Sequence, residues 1–106
     1  SKWAVIGLMK SLAIELGPYN VNVNAICPGS VEGDRLEKVI DAEVISKGMS
    51  RDKIYKAYTE GTSLKKLISP RDIADMAFFL AGQKSKLVSG QVIAVDGHTE
   101  VPDPKF

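Results

Sequence analysis

The chain has 106 residues, 44% of them hydrophobic and 25% charged, with a formal net charge of +1. That size and mix suit one globular domain and exclude a predominantly disordered chain. Basic residues are spread out rather than gathered into a stripe, which excludes a nucleic-acid partner, and no apolar run reaches the ~20 residues of a membrane-spanning helix.

The first element is a helix from about Trp3 to Leu16. Val5, Leu8, Met9, Leu12 and Leu16 recur at helical spacing, and Trp3, Ile6 and Ala13 widen the apolar face. A helix this apolar is expected to be covered on most sides. Gly17-Pro18 ends it, with Gly17 expected in the left-handed cap. Val21–Ile26, β-branched with polar alternation, predicts a strand stopped by Cys27-Pro28-Gly29. Cys27 is the single cysteine, so no intrachain disulfide forms. It reads as a buried structural thiol, and a cytoplasmic, reducing location is expected.

Asp34 to Lys47 predicts a helix with Leu36, Val39, Ile40, Val44 and Ile45 on its apolar side and Gly48 as terminator. Ser50 caps a second helix that runs through Tyr58 and ends near Gly61; Thr62–Ile68 is a connecting loop. Ser69-Pro70-Arg71-Asp72 is a helix start: a hydroxyl cap, a proline in the first position and a carboxylate at the third. That helix runs to about Ala81, with Ile73, Met76, Ala77 and Leu80 inward. Val92–Val95 is the second strand, ended by Asp96-Gly97, and Val101–Phe106 is an extended tail. The order is helix, strand, two helices, helix, strand. Helical crossovers between strands imply a parallel α/β sheet. Two strands make a poor sheet alone, so more protein is expected beside them.

Four motifs carry a resemblance: Ser1-Lys2 opening the apolar helix, Val23-Asn24-Ala25-Ile26-Cys27-Pro28-Gly29, Ser69-Pro70-Arg71-Asp72-Ile73-Ala74, and Ser89-Gly90-Gln91-Val92-Ile93-Ala94-Val95-Asp96-Gly97. In order and spacing, over nearly the whole chain, they resemble the C-terminal part of the short-chain dehydrogenase/reductase family. The resemblance implies the last two strands of a doubly wound, Rossmann-type parallel sheet. Residues 1–106 would form the C-terminal portion of one NAD(P)-binding domain, with 34–63 as a substrate lid and 98–106 as a tail.

The resemblance further implies an oxidoreductase that transfers a hydride between the nicotinamide of NAD or NADP and a small alcohol or carbonyl substrate. Lys2 matches the lysine of the family's Tyr-x-x-x-Lys pair; it would hold ribose hydroxyls and lower the tyrosine's pKa by its charge. The tyrosine's place falls ahead of Ser1, and the glycine-rich phosphate loop and catalytic serine have no counterpart in the chain. The 106 residues alone are therefore expected to be inactive. The alternative is a non-catalytic, self-associating module, or a truncated fragment without activity of its own.

Pro28, Gly29 and the amide near Val31 match the loop that the family sets against the nicotinamide. Gly33 stands where the family often has a threonine, which leaves Ser30 or Glu32 to supply that contact. Glu32, Arg35, Tyr55 and Tyr58 are the candidates for facing substrate. His98 is open to a neighbouring subunit, to the substrate pocket or to solvent. No metal site is expected, since no second histidine exists and Cys27 is far along the chain from His98. The family's habit implies a homo-oligomer, dimer or tetramer.

Overall fold

In the computed structural model the described residues are Ser1–Thr99, so the expected extended tail at 101–106 lies outside them. Helix α1 (Lys2–Leu16) is followed by strand β1 (Ala25–Pro28), helices α2 (Asp34–Lys47), α3 (Arg51–Glu60) and α4 (Pro70–Ala81), and strand β2 (Val92–Val95). The strands are parallel, with Ala25 opposite Val92 and Pro28 opposite Val95. Each long helix stands in the order and type the sequence predicts.

Local chemistry explains the boundaries. Ser1 accepts from the Ala4 N–H and caps α1. Ser50 does the same for α3 through Lys53. Ser69 and Asp72 form a reciprocal capping box on α4: the Ser69 hydroxyl accepts from Asp72 N–H, and the Asp72 carboxylate accepts from Ser69 N–H at 2.8 Å.

Two boundaries differ from expectation. Gly17 is right-handed, and the chain runs on through a tight turn, Gly17–Tyr19; the left-handed residue is Asn20 at φ 61°. The first strand begins at Ala25 rather than Val21. Val21 N–H turns back to the Leu16 carbonyl, and residues 22–24 spend their hydrogen bonds on the turn before β2. Asn22 donates to the Lys86 carbonyl at 3.0 Å and Asn24 to that of Val88 at 2.9 Å. Val23 N–H donates to the Ser89 hydroxyl at 3.0 Å, and the Asn24 side-chain oxygen accepts from Gln91 N–H at 3.1 Å. Polar side chains hold the two segments side by side before the strand ladder begins.

Apolar residues gather mainly between α2 and α3, where Leu36, Ile40 and Ile54 meet Val44, Tyr58 and Leu67. Val39 and Ile45, expected on that side, are exposed, as is Ala77 on α4. Arg51 bridges back to Glu37 and Asp41, joining the start of α3 to α2. The expected stripe on α1 is only partly covered: Met9 is buried, but Val5 and Leu8 are 61% and 62% exposed. Cys27 is half-buried in β1 rather than fully enclosed.

The molecule measures 55 × 26 × 24 Å, with a radius of gyration of 16.7 Å. A compact domain of this length has about 13 Å. In this elongated shape α1 and α4 keep exposed apolar faces.

Replacing Ser69 with Ala should cost about 1 kcal/mol, read by urea unfolding. Hydrogen bonds that the Asp72 carboxylate receives from Ser69, first from its backbone N–H and then from its side chain, hold that carboxyl below its ordinary value, with the Lys66 charge adding to them. Its stabilising effect is then present above the unfolded pKa and disappears as pH falls through the folded one. Asp72→Asn should therefore be destabilised relative to wild type at neutral pH, and the gap should close in strong acid.

Candidate functional site

β1 ends at Pro28, and the chain turns sharply at Gly29. The Gly29 N–H donates to the Val95 carbonyl at 2.9 Å, extending the pairing one residue past the strands. A Cβ on Gly29 would lie 2.8 Å from both Cα and Cβ of Asp96. Glycine is required there because β2's end presses directly on the loop.

The loop is held from a second side. Ile68 N–H donates to the Ser30 carbonyl at 3.0 Å, and Glu32 N–H donates to the Ile68 carbonyl at 2.8 Å. These bonds make Val31 and Ile68 a parallel bridge. A bridge residue flanked by two such bonds directs its own N–H to the opposite side. Gly33 then enters α2 at φ 138°, a backbone that side chains rarely adopt, with no side-chain cap. The first turn of α2 carries Asp34 and Glu37, which suit the helix's positive end.

At the carboxyl end of β1 this geometry opens a cleft of about 470 Å³. Pro28, Gly29, Val31, Glu32 and Gly33 line it, with Arg35 and Val39 of α2 opposite. Ligands of open α/β sheets sit beyond strand carboxyl ends. Of the predicted site residues, the structure gathers Pro28, Gly29, Val31 and Gly33 around this cleft. Ser30 lies in the same loop but outside the lining, its carbonyl engaged by Ile68. Lys2 is exposed in the first turn of α1 and is not among the lining residues.

The lid candidates separate. Glu32 and Arg35 face the cleft. Tyr58 belongs to the α2–α3 contact; its hydroxyl donates to Glu43 at 3.0 Å. Burial, then the Glu43 hydrogen bond and charge, push its phenol above the ordinary range. Tyr55 is 40% exposed and lies outside the cleft.

Three residues of the site's framework are not legible as such in the sequence. Asp96 reads only as a strand terminator, Ile68 only as loop, and Ser63 carries no signal at all. Ser63 meets His98, the Nδ1 of which lies 2.8 Å from the Ser63 Oγ. Among the described residues, no group of three or more His, Cys, Asp or Glu side chains is placed to hold a metal ion, and no helix is long and apolar enough to cross a membrane.

Gly29→Ala must displace Asp96 and should cost about 1–3 kcal/mol, as overpacking does. Gly7→Ala, with nothing within 4 Å of its added Cβ on α1, is the control. It should stabilise by about 0.5–1 kcal/mol. Equal urea midpoints for the two variants would contradict the close contact.

The chain is similar to known proteins over nearly its whole described length. The family profile described as Enoyl-(Acyl carrier protein) reductase matches residues 1–98. The chain is 35% identical over 97 residues to 3-oxoacyl-[acyl-carrier-protein] reductase FabG of Chlamydia muridarum, covering 92% of this chain and 35% of that protein. It is 30% identical over 94 residues to the NADPH-dependent reductase BacG of Bacillus subtilis, covering 89% of this chain and 36% of that protein. A solved short chain dehydrogenase family protein from Francisella tularensis superposes with a TM-score of 0.84 at 34% identity, over 91% of this chain and 40% of that one. The chain thus spans little more than a third of the length of these relatives. Its helix–strand–helices–helix–strand order is that of the corresponding part of their Rossmann-type fold. The chain belongs to the short-chain dehydrogenase/reductase family.

Proposed function

We propose that this chain is the part of an NAD(P)-dependent oxidoreductase that closes over the nicotinamide end of NAD or NADP. The enzyme would transfer a hydride between nicotinamide and the carbon of a small alcohol or carbonyl substrate. The observation that carries this reading is the cleft at the carboxyl end of β1, its loop held by β2 and Ile68, in a chain of this family. A relative named as an NADPH-dependent reductase supports the cofactor class.

The residues fit the nicotinamide better than the phosphates. Pro28, Val31 and Val39 offer apolar surface, and apart from its own chain neighbours nothing lies within 4 Å of where a Gly33 Cβ would stand. Phosphate would meet Asp34 and Glu37 at the start of α2, which already answer that helix's dipole. An oxidised nicotinamide is cationic and meets Glu32 and Asp34 favourably. Pro28 and Gly29 would lie against the ring, and the Val31 N–H, turned away from Ile68, would donate to the carboxamide. Ser30 and Gly33 would shape the loop around it. Bound there, the nicotinamide supplies or accepts the hydride.

Lys2 would hold ribose hydroxyls and, by its charge, favour the ionised form of a tyrosine four residues before it. Such a pair shares one helix face. The 106 residues hold no tyrosine at that spacing and no glycine-rich phosphate loop. By themselves they would bind the nicotinamide end weakly and turn over nothing. Residues 34–63 would cover substrate, with Glu32 and Arg35 nearest to it.

Titration of the nitrogen-15-labelled chain with nicotinamide mononucleotide tests the site by NMR. Amide shifts should concentrate at Gly29–Gly33 with millimolar affinity, and Lys2→Ala should weaken binding. Shifts confined to the α2–α3 cavity beside Glu43 and Tyr58, or none, would refute the assignment.

Self-association is a second proposal, carried by the exposed apolar faces of α1 and α4. Trp3 is 68% exposed and Phe78 84%. Exposed apolar surface on a helix face is what a partner would cover. Light scattering at micromolar concentration should give at least a dimer mass; a species of 11.5 kDa would count against it.

A further inference from the structure

The turn after β2 holds two other segments at once, and its side chains are not those that line the cleft. Asp96 accepts from His98 N–H at 2.8 Å through its side chain, which closes the turn on itself. His98 stands at φ 62°, a left-handed backbone uncommon for any residue but glycine. Its carbonyl accepts from Ser63 N–H at 2.8 Å, and the Gly97 carbonyl accepts from Leu64 N–H at 3.1 Å. The imidazole Nδ1 lies 2.8 Å from the Ser63 hydroxyl, which is also 3.4 Å from the Gly97 carbonyl. If Nδ1 carries a proton it donates to the Ser63 oxygen, and the serine proton turns to Gly97. If not, the serine donates to Nδ1. The pair is satisfied in either state.

From Ser63 the chain runs through a turn closed on Thr62, whose hydroxyl accepts from Lys66 N–H at 3.2 Å. It arrives at Ile68, which grips the loop through Ser30 and Glu32. At the other end of the same turn, Asp96 fills the space where Gly29 lacks a Cβ. The contacts form a closed ring: Asp96 on Gly29, the loop on Ile68, Ile68 through the chain to Ser63, Ser63 on His98, and His98 back on Asp96.

We infer that His98, acting through Ser63, is a positioning residue that fixes Ile68 and thereby the Ser30–Glu32 stretch of the cleft loop. It touches neither the cleft nor its contents. Its role is to set where the Val31 N–H and the entry to α2 stand. The inference rests on the proposed function only in naming nicotinamide as what the loop receives; the ring itself is independent of any ligand.

Hydrogen exchange in the full 106-residue chain, read amide by amide, tests it without nucleotide. His98→Gly removes the imidazole and also relieves the left-handed backbone, so simple loss of stability is not its expected effect. The Glu32 and Ile68 amides should exchange about tenfold faster, the factor that the net worth of one hydrogen bond sets. The Gly29 amide, bonded to Val95 in the sheet, should keep its rate. His98→Asn tolerates the left-handed backbone and keeps a polar atom near the place of Nδ1, and should restore slow exchange. Ser63→Ala should reproduce the glycine variant. Unchanged exchange at Glu32 and Ile68 in His98→Gly would overturn the inference. So would a uniform rise that included α4, because that would report stability alone. Binding of nicotinamide mononucleotide decides the cofactor reading separately.

Discussion

The close approach of Gly29 to Asp96 governs the functional end of this molecule. Two parallel strands of four residues each end side by side, and their exits must diverge at once. One exit has no side chain, and the backbone of the other occupies that space. The β1 loop is thus forced away from β2 and toward Ile68, which accepts it as a single bridged step. The cleft exists because the loop, pinned on both flanks, stands clear of the first turn of α2.

The α2–α3 hairpin hangs from this frame and carries its own cohesion. Ile40 is fully buried and Ile54 nearly so, and Leu67 closes this small core from the connecting segment. Arg51 reaches two carboxylates on α2, and Tyr58 reaches Glu43. Pairs as exposed as Arg51's contribute little stability individually. Their geometric effect is to fix how the helices lie against each other. Tyr58, a candidate for facing substrate by residue type alone, is one of the hairpin's internal contacts. Glu32 and Arg35, at the hairpin's root, are the side chains that stand in the cleft.

Elements with strong local chemistry are legible in the sequence. The capping box at Ser69–Asp72 and the β-branched run Val92–Val95 stand where the sequence places them, because their signals are satisfied within a few residues. The strand start at Ala25 is not legible. Val21–Asn24 has the alternation of a strand, yet both asparagines find carbonyls more than sixty positions away in the chain, and local propensity yields to those bonds. The exposed face of α1 escapes the sequence for a related reason. Periodicity says which side is apolar, not how much protein lies against it.

By itself, the sequence determined the order and type of the elements, the parallel α/β class, the family, and the loop in which the candidate site would lie. Those properties depend on periodicity, caps and short motifs, all read within a few residues. Only the tertiary structure decided that Gly29 answers to Asp96, that Ser30 faces Ile68 rather than the cleft, and that His98 reaches Ser63. These pairs join residues that only strand pairing and chain reversal bring together, and neither partner carries a mark of the other. Contact across such separations is a property of close-packed tertiary structure, which no local pattern encodes.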